Sequence, residues 1–160
     1  MFSDRVPQLL SVKRHRTRHH VIFKDQVMQL LMEACPLYPL PAQDRELLYV
    51  MLGDFARYLL QLHRQHQTRV FPAVAQVIER LHVEGDHYVR EAATIGLLEG
   101  IQNVWSNEGT DPELFVQHLL PVSAQWWQSL NDFWSGKSKF VGEGLGHLPK
   151  RSANRAIALR

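Results

Sequence analysis

Apolar residues recur in this chain at three- and four-residue steps, and no segment shows the alternating pattern of a half-buried strand. Leu47, Leu48, Met51, Phe55, Tyr58, Leu59 and Leu62 form the longest such stripe, inside a stretch from about Gln43 to Gln67. That spacing puts the apolar side chains on one face of an α-helix, and the face must be buried against other helices. The same rhythm predicts a helix from Lys24 that stops by Pro36, and another from Phe71 to His82. A fourth stretch, His87 to Asn103, is apolar nearly all round, as expected of a helix in the middle of a stack. Asp111 and Pro112 read as the cap and first position of a further helix. Val122, Trp126, Trp127, Leu130, Phe133 and Trp134 mark the last. The predicted class is therefore all-α, with about six helices as antiparallel hairpins in a compact bundle or a short HEAT-like stack.

Local punctuation refines this picture. Pro36, Pro39 and Pro41 hold the segment after the first helix extended. Glu84-Gly85-Asp86 reads as a turn, with Gly85 as a left-handed cap and Asp86 capping the next helix. Gly96 and Gly100 lie on one helix face and invite a close neighbour, at about 1 kcal/mol each in helix propensity. Trp126 and Trp127 are adjacent, so both are buried only if their helix has a wide apolar face; core is expected of one or the other. Trp105, at a helix end near Asn103 and Asn107, suits a core position and a partner-facing one equally, since tryptophan is enriched among interface anchors.

Charge divides the chain in three. Residues 1–24 carry six basic side chains against one acidic, residues 25–135 carry six against fourteen, and residues 136–160 carry six against one. The formal net charge of +2 thus conceals a middle of −8 between two basic ends. We expect a basic N-terminal arm over 1–23, an acidic helical domain over 24–135 and a basic flexible C-terminal tail over 136–160. An anionic domain attracts cationic partners and repels nucleic acid, so nucleic-acid binding by the domain is not expected. No apolar run approaches the roughly 20 residues that cross a bilayer. The single cysteine, Cys35, excludes an intrachain disulfide, and a cytoplasmic location without membrane attachment is expected.

Signs of catalysis are missing. His63 with His66, and His15 with His19, have helical spacing but no surrounding ligand pattern, so neither a metal nor a cofactor is expected. There is no Gly-x-Ser-x-Gly elbow, and Gly142, Gly144 and Gly146 follow no strand and precede no helix, unlike a phosphate-binding loop. Cys35, at the end of an apolar stretch and before Pro36, reads as a small buried residue and not as a nucleophile. A binding protein without a small-molecule substrate is expected, not an enzyme.

Leu47-Leu48-Tyr49 before Gly53-Asp54-Phe55-Ala56, and Glu84-Gly85-Asp86 leading through Val89-Arg90 to Ile95-Gly96-Leu97-Leu98-Glu99-Gly100-Ile101-Gln102-Asn103, carry a resemblance. Over about residues 25–135 the chain resembles a family of small all-helical bacterial proteins, some of which serve as immunity proteins beside polymorphic toxins of the Rhs type. The resemblance implies a rigid helical scaffold that neutralises a basic toxin domain, and it brings no catalytic residues. Carboxylates that steer such a partner suit that role, and the candidate contacts are Asp54, Glu91, Glu99, Glu108, Asp111 and Glu113, with Trp105. The alternative is a nucleic-acid-associated adaptor or scaffold that uses its basic termini. A homodimer through the Trp126 to Trp134 helix is a third reading.

Overall fold

The computed structural model describes residues 20–40 and 47–145. The arm before His20, the expected helix start at Gln43 to Glu46 and the tail from Gly146 lie outside the described residues. Among the described residues six α-helices carry the fold: α1 (Lys24–Ala34), α2 (Leu48–Arg64), α3 (Phe71–Glu84), α4 (His87–Glu91), α5 (Glu99–Asn107) and α6 (Pro121–Trp134). A π-helix, Ala92–Leu98, joins α4 to α5 in one continuous rod, and 3-10 helices span Thr68–Val70 and Pro112–His118. The fold is all-α, and no strand occurs among the described residues.

The central contact is between α2 and the rod. Gly96 permits it: a Cβ there would lie 2.8 Å from Leu52 and 3.3 Å from Tyr49, and one on Gly100 would lie 3.7 Å from Ala56. Trp105 closes the far end of the same seam, donating its indole N–H to the Ala56 carbonyl at 3.2 Å. Tyr49 near the start of α2 meets the start of the rod, and His63 near its end meets Trp105, with ring centroids 5.0 Å apart. The two therefore run in the same direction, and α3, which follows α2 in the chain and packs on α1 and α6, makes the return. Helix α1 also starts at the same end as α2, so its connection is not a hairpin turn. Where extended chain was expected after α1, Pro36 and Leu37 instead form a turn closed by the Tyr38 N–H on the Cys35 carbonyl at 3.1 Å, and Tyr38 then packs edge-on against Phe55 at 5.0 Å.

The rod was expected to be one α-helix; its centre instead widens into a π-helix. Thr94 offers a cause, since its hydroxyl competes for the Arg90 carbonyl at 3.1 Å and loosens the regular ladder. Gly85 also differs from expectation. Its φ of −66° and ψ of 152° are extended, not left-handed, because the residue pairs with Ile22. The Ile22 N–H donates to Glu84 and its carbonyl accepts from Asp86, at 2.9 and 3.0 Å. Asp86 caps α4 as expected, accepting from the Val89 N–H at 2.8 Å.

Helix α6 is anchored from α3. Glu79 accepts from the backbone N–H groups of Val122 and Ser123 and from the Ser123 hydroxyl, at 2.9, 2.8 and 2.7 Å. Those are orphan donors of a helix start, where negative charge is favoured. Its inner face is wide enough to bury both Trp126 and Trp127, at 5% and 1% exposed. Residues 136–145, placed in the tail by composition, fold back on this helix. Gly142, at φ 89°, lies so close to Trp126 that a Cβ would approach its ring to 2.8 Å.

Candidate functional site

The seven candidate contacts do not share a face. Trp105 is withdrawn from the list because it is fully buried among Phe71, Phe115 and His63. An indole with its N–H satisfied inside the core contributes stability and offers nothing to a partner. The carboxylates fall into three groups. Asp54 lies on the α1 side of α2, accepting from the Tyr38 hydroxyl at 2.5 Å and facing Arg57 at 4.0 Å. Glu91 and Glu99 are half-buried on the rod. Burial raises the Glu99 carboxyl above its ordinary pKa, against a hydrogen bond from Asn103.

Glu108, Asp111 and Glu113 come together at the end of the bundle where α2 and α5 finish. The local sequence explains why: α5 stops at Asn107, Gly109 turns the chain at φ 76°, and Asp111 caps the 3-10 helix by accepting from the Glu113 N–H at 3.0 Å. Arg64 clamps the turn through the Glu108 carbonyl and lies 3.7 Å from the Glu108 carboxylate. One oxygen of Glu113 accepts from Trp127 Nε1 at 3.0 Å and from Asn131 Nδ2 at 2.9 Å. Gln102 completes the chain, donating to Asn131 Oδ1 at 3.0 Å. Neutral donors thus fix Glu113 while the residue stays exposed. An oriented carboxylate of this kind needs little reorganisation to accept an incoming cation.

The opposite end, where α1, α2 and α4 start, is built of other chemistry. Tyr49 and Tyr88 stack edge-to-face with centroids 6.1 Å apart and remain 37% and 41% exposed. The Tyr49 hydroxyl is pushed up to about 12, first by burial and then by the charge of neighbouring Glu91. Beside the pair lies a pocket of about 540 Å³ lined by Lys24, Asp25, Met28, Leu40, Leu48, Met51 and Tyr88. Phe23, Leu47 and Val50 are also exposed at this end. The pocket and the tyrosine pair were missed in the sequence. A usable signal existed: Tyr49 and Tyr88 are aromatic residues outside the inward-facing stripes, where a helix ordinarily shows polar side chains.

The other reactive groups are structural. Cys35 is 2% exposed, and burial raises its thiol above the ordinary range. Tyr38 is buried and its hydroxyl is pushed up by burial and by Asp54. His82 is buried between the Ile78 carbonyl, 2.9 Å from Nδ1, and Thr94 Oγ1, 3.0 Å from Nε2, with Trp126 stacked beside it. Burial lowers its pKa to about 4, and Arg90 adds to this, against the Ile78 carbonyl and Glu79. The neutral ring is assigned with its proton on Nδ1, donating to Ile78, so Nε2 accepts from the Thr94 hydroxyl, whose single proton is shared with the Arg90 carbonyl. Among the described residues no three His, Cys, Asp or Glu side chains gather as metal ligands, and no helix is long and apolar enough to cross a membrane.

Fold and surface together define a helical domain with a rigid core, fixed exterior carboxylates at one end and an exposed aromatic pocket at the other. The chain belongs to the family described as a domain of unknown function, DUF7674, whose profile matches residues 28–135, more than half of its length. Neither the curated proteins nor the solved structures gave a match.

Proposed function

We propose that this protein is a non-catalytic immunity protein that binds a basic toxin domain and neutralises it. The observation that carries the reading is the charge of −8 on residues 25–135. The placement of Glu108, Asp111 and Glu113 on one end supports it further, with Glu113 oriented by Trp127 and Asn131. Oriented carboxylates on a rigid scaffold raise the association rate with a cationic partner and compete for the site where that partner holds an anion. The resemblance to immunity proteins of Rhs-type toxins supports the same reading. Asp54 and Glu99 serve it less well, since one is engaged by Tyr38 and the other is half-buried.

The test is capture of a partner from cells of the source organism by the full chain, at low salt and then at 0.5 M. The expected result is one basic protein, retained at high salt, whose toxic activity falls to nothing at equimolar inhibitor. Glu108→Lys with Glu113→Lys is expected to slow association by about tenfold or more, the effect shrinking as salt rises. Recovery of a salt-labile mixture, or of a partner whose activity is unchanged on binding, contradicts the reading.

A further inference from the structure

The pocket between the starts of α1, α2 and α4 is not a packing defect of the core. Its floor is made of Met28, Leu48 and Met51, which keep 7–8% exposure while Leu52 and Phe55 one turn further in keep none. At about 540 Å³ it lies within the range of pockets that take a bound group. Methionine-lined floors adapt their shape to different side chains. Exposed Phe23, Leu47, Tyr49, Val50 and Tyr88 cluster at this same end of the bundle, and a tract of that kind on a small domain marks an interaction surface.

The charges around it discriminate between occupants. Among the described residues Asp25 and Lys24 are the charged ones that line the pocket, and Glu91 lies beside Tyr49, whose ring packs on Tyr88 at its edge, which leaves two acids to one base. The Tyr88 ring presents its edge to Tyr49 or receives it, and the exposed part of the pair offers a π face to a cation. A long aliphatic stem ending in positive charge matches both features, because its methylenes lie along apolar surface while its head reaches a carboxylate.

We propose that this pocket is the anchor site for the partner, taking a segment that inserts an apolar side chain against Met28 and Met51 and sets an adjacent lysine or arginine on Glu91 and Tyr88. The proposal rests on the reading of a basic protein partner and names the surface that grips it. The carboxylates near Glu113 steer the approach, and the pocket supplies the contacts that slow departure.

The test uses simple probes first. The full chain, labelled at its methionine methyl groups, is titrated with hexylammonium, hexanol and hexanoate while NMR shifts are followed. Hexylammonium is expected to move the Met28 and Met51 resonances saturably and to bind about threefold to fivefold more tightly than hexanol, the gain of an exposed ion pair. Hexanoate is expected to be weakest, and Glu91→Gln, which removes the charge and keeps the size of the side chain, is expected to remove the advantage of the amine without altering the thermal melt. Equal binding of the three probes, preference for hexanoate through Lys24, or no shift at Met28 and Met51 overturns the proposal. The captured partner gives a second reading. Tyr88→Ala is expected to speed its dissociation by about tenfold or more. An unchanged rate overturns the pocket and leaves the immunity reading standing. Saturable hexylammonium binding by a chain that captures no basic protein does the reverse.

Discussion

The two ends of α2 use the same residue types to opposite purposes. At its C-terminal end the aromatic residues are inside and the carboxylates outside: Trp105, Phe71 and Phe115 are at most 1% exposed, while Glu108, Asp111 and Glu113 face solvent. At its N-terminal end, about 25 Å away by helix rise, the aromatic pair Tyr49 and Tyr88 is exposed, and its carboxylate, Glu91, is half-buried beside Tyr49. Burial at the first end goes into stability. At the second end apolar surface is left over, and a domain keeps such surface where it meets another molecule. The comparison yields a rule for this fold: truncations near Trp105 should cost stability, and truncations near Tyr88 should cost binding.

The largest expected effect tests the first half of that rule. Trp105→Ala opens a cavity in the core and removes the indole bond to Ala56, so a loss of about 3–5 kcal/mol in unfolding free energy is expected from urea titration. A loss below about 1 kcal/mol would place Trp105 outside the core. Next comes pH. Unfolded chains take up the His82 proton near pH 6.5 and the folded protein only near 4, so this contribution is complete above pH 6.5 and declines as pH falls towards 4. The swing is about 3 kcal/mol at most. Melts of wild type and His82→Gln across that window isolate it, since the difference between them should shrink as the solution is acidified.

Smaller effects sharpen the contrast. Glu113→Ala leaves Trp127 Nε1 and Asn131 Nδ2 without their acceptor and is expected to lower stability by about 1–2 kcal/mol. Glu113→Gln keeps an acceptor and is expected to recover most of that. Equal losses in the two variants would mean that charge, not hydrogen bonding, holds the site. Tyr88→Ala stands at the bottom of the order. Its ring is 41% exposed, so a change within about 0.5 kcal/mol is expected in the same assay, alongside the loss of partner affinity described above.

The fold was legible in the sequence wherever burial forces a period. The stripe on α2 and the positions of α1, α3 and α6 followed from apolar spacing and prolines, and Asp86 and Asp111 marked the starts of α4 and of the Pro112–His118 segment, which is a 3-10 helix. The π-helix was not legible, because its apolar residues suit an α-helix equally and the widening depends on one hydroxyl, Thr94, reaching Arg90. Gly85 was misread because its partner, Ile22, lies far away in sequence. The candidate site was legible only in part. Charge counting found the carboxylates, but which of them share an end depends on α2 and the rod running in the same direction, a relation that no local pattern encodes. Trp105 carried no mark to separate a buried indole from an exposed one. The pocket is formed by three helix starts brought together from distant segments, so its only trace was the two tyrosines outside the inward stripes.

The central claim is that a basic partner is steered by charge and gripped by the aromatic end. Association and dissociation rates of the captured partner, measured against salt for wild type, Glu113→Lys and Tyr88→Ala, test it most directly. The expected result is a split: Glu113→Lys lowers the association rate and flattens its salt dependence, while Tyr88→Ala raises the dissociation rate and leaves association unchanged. If both substitutions act on association alone, or if neither changes a rate, the two ends do not divide the work and the account is contradicted.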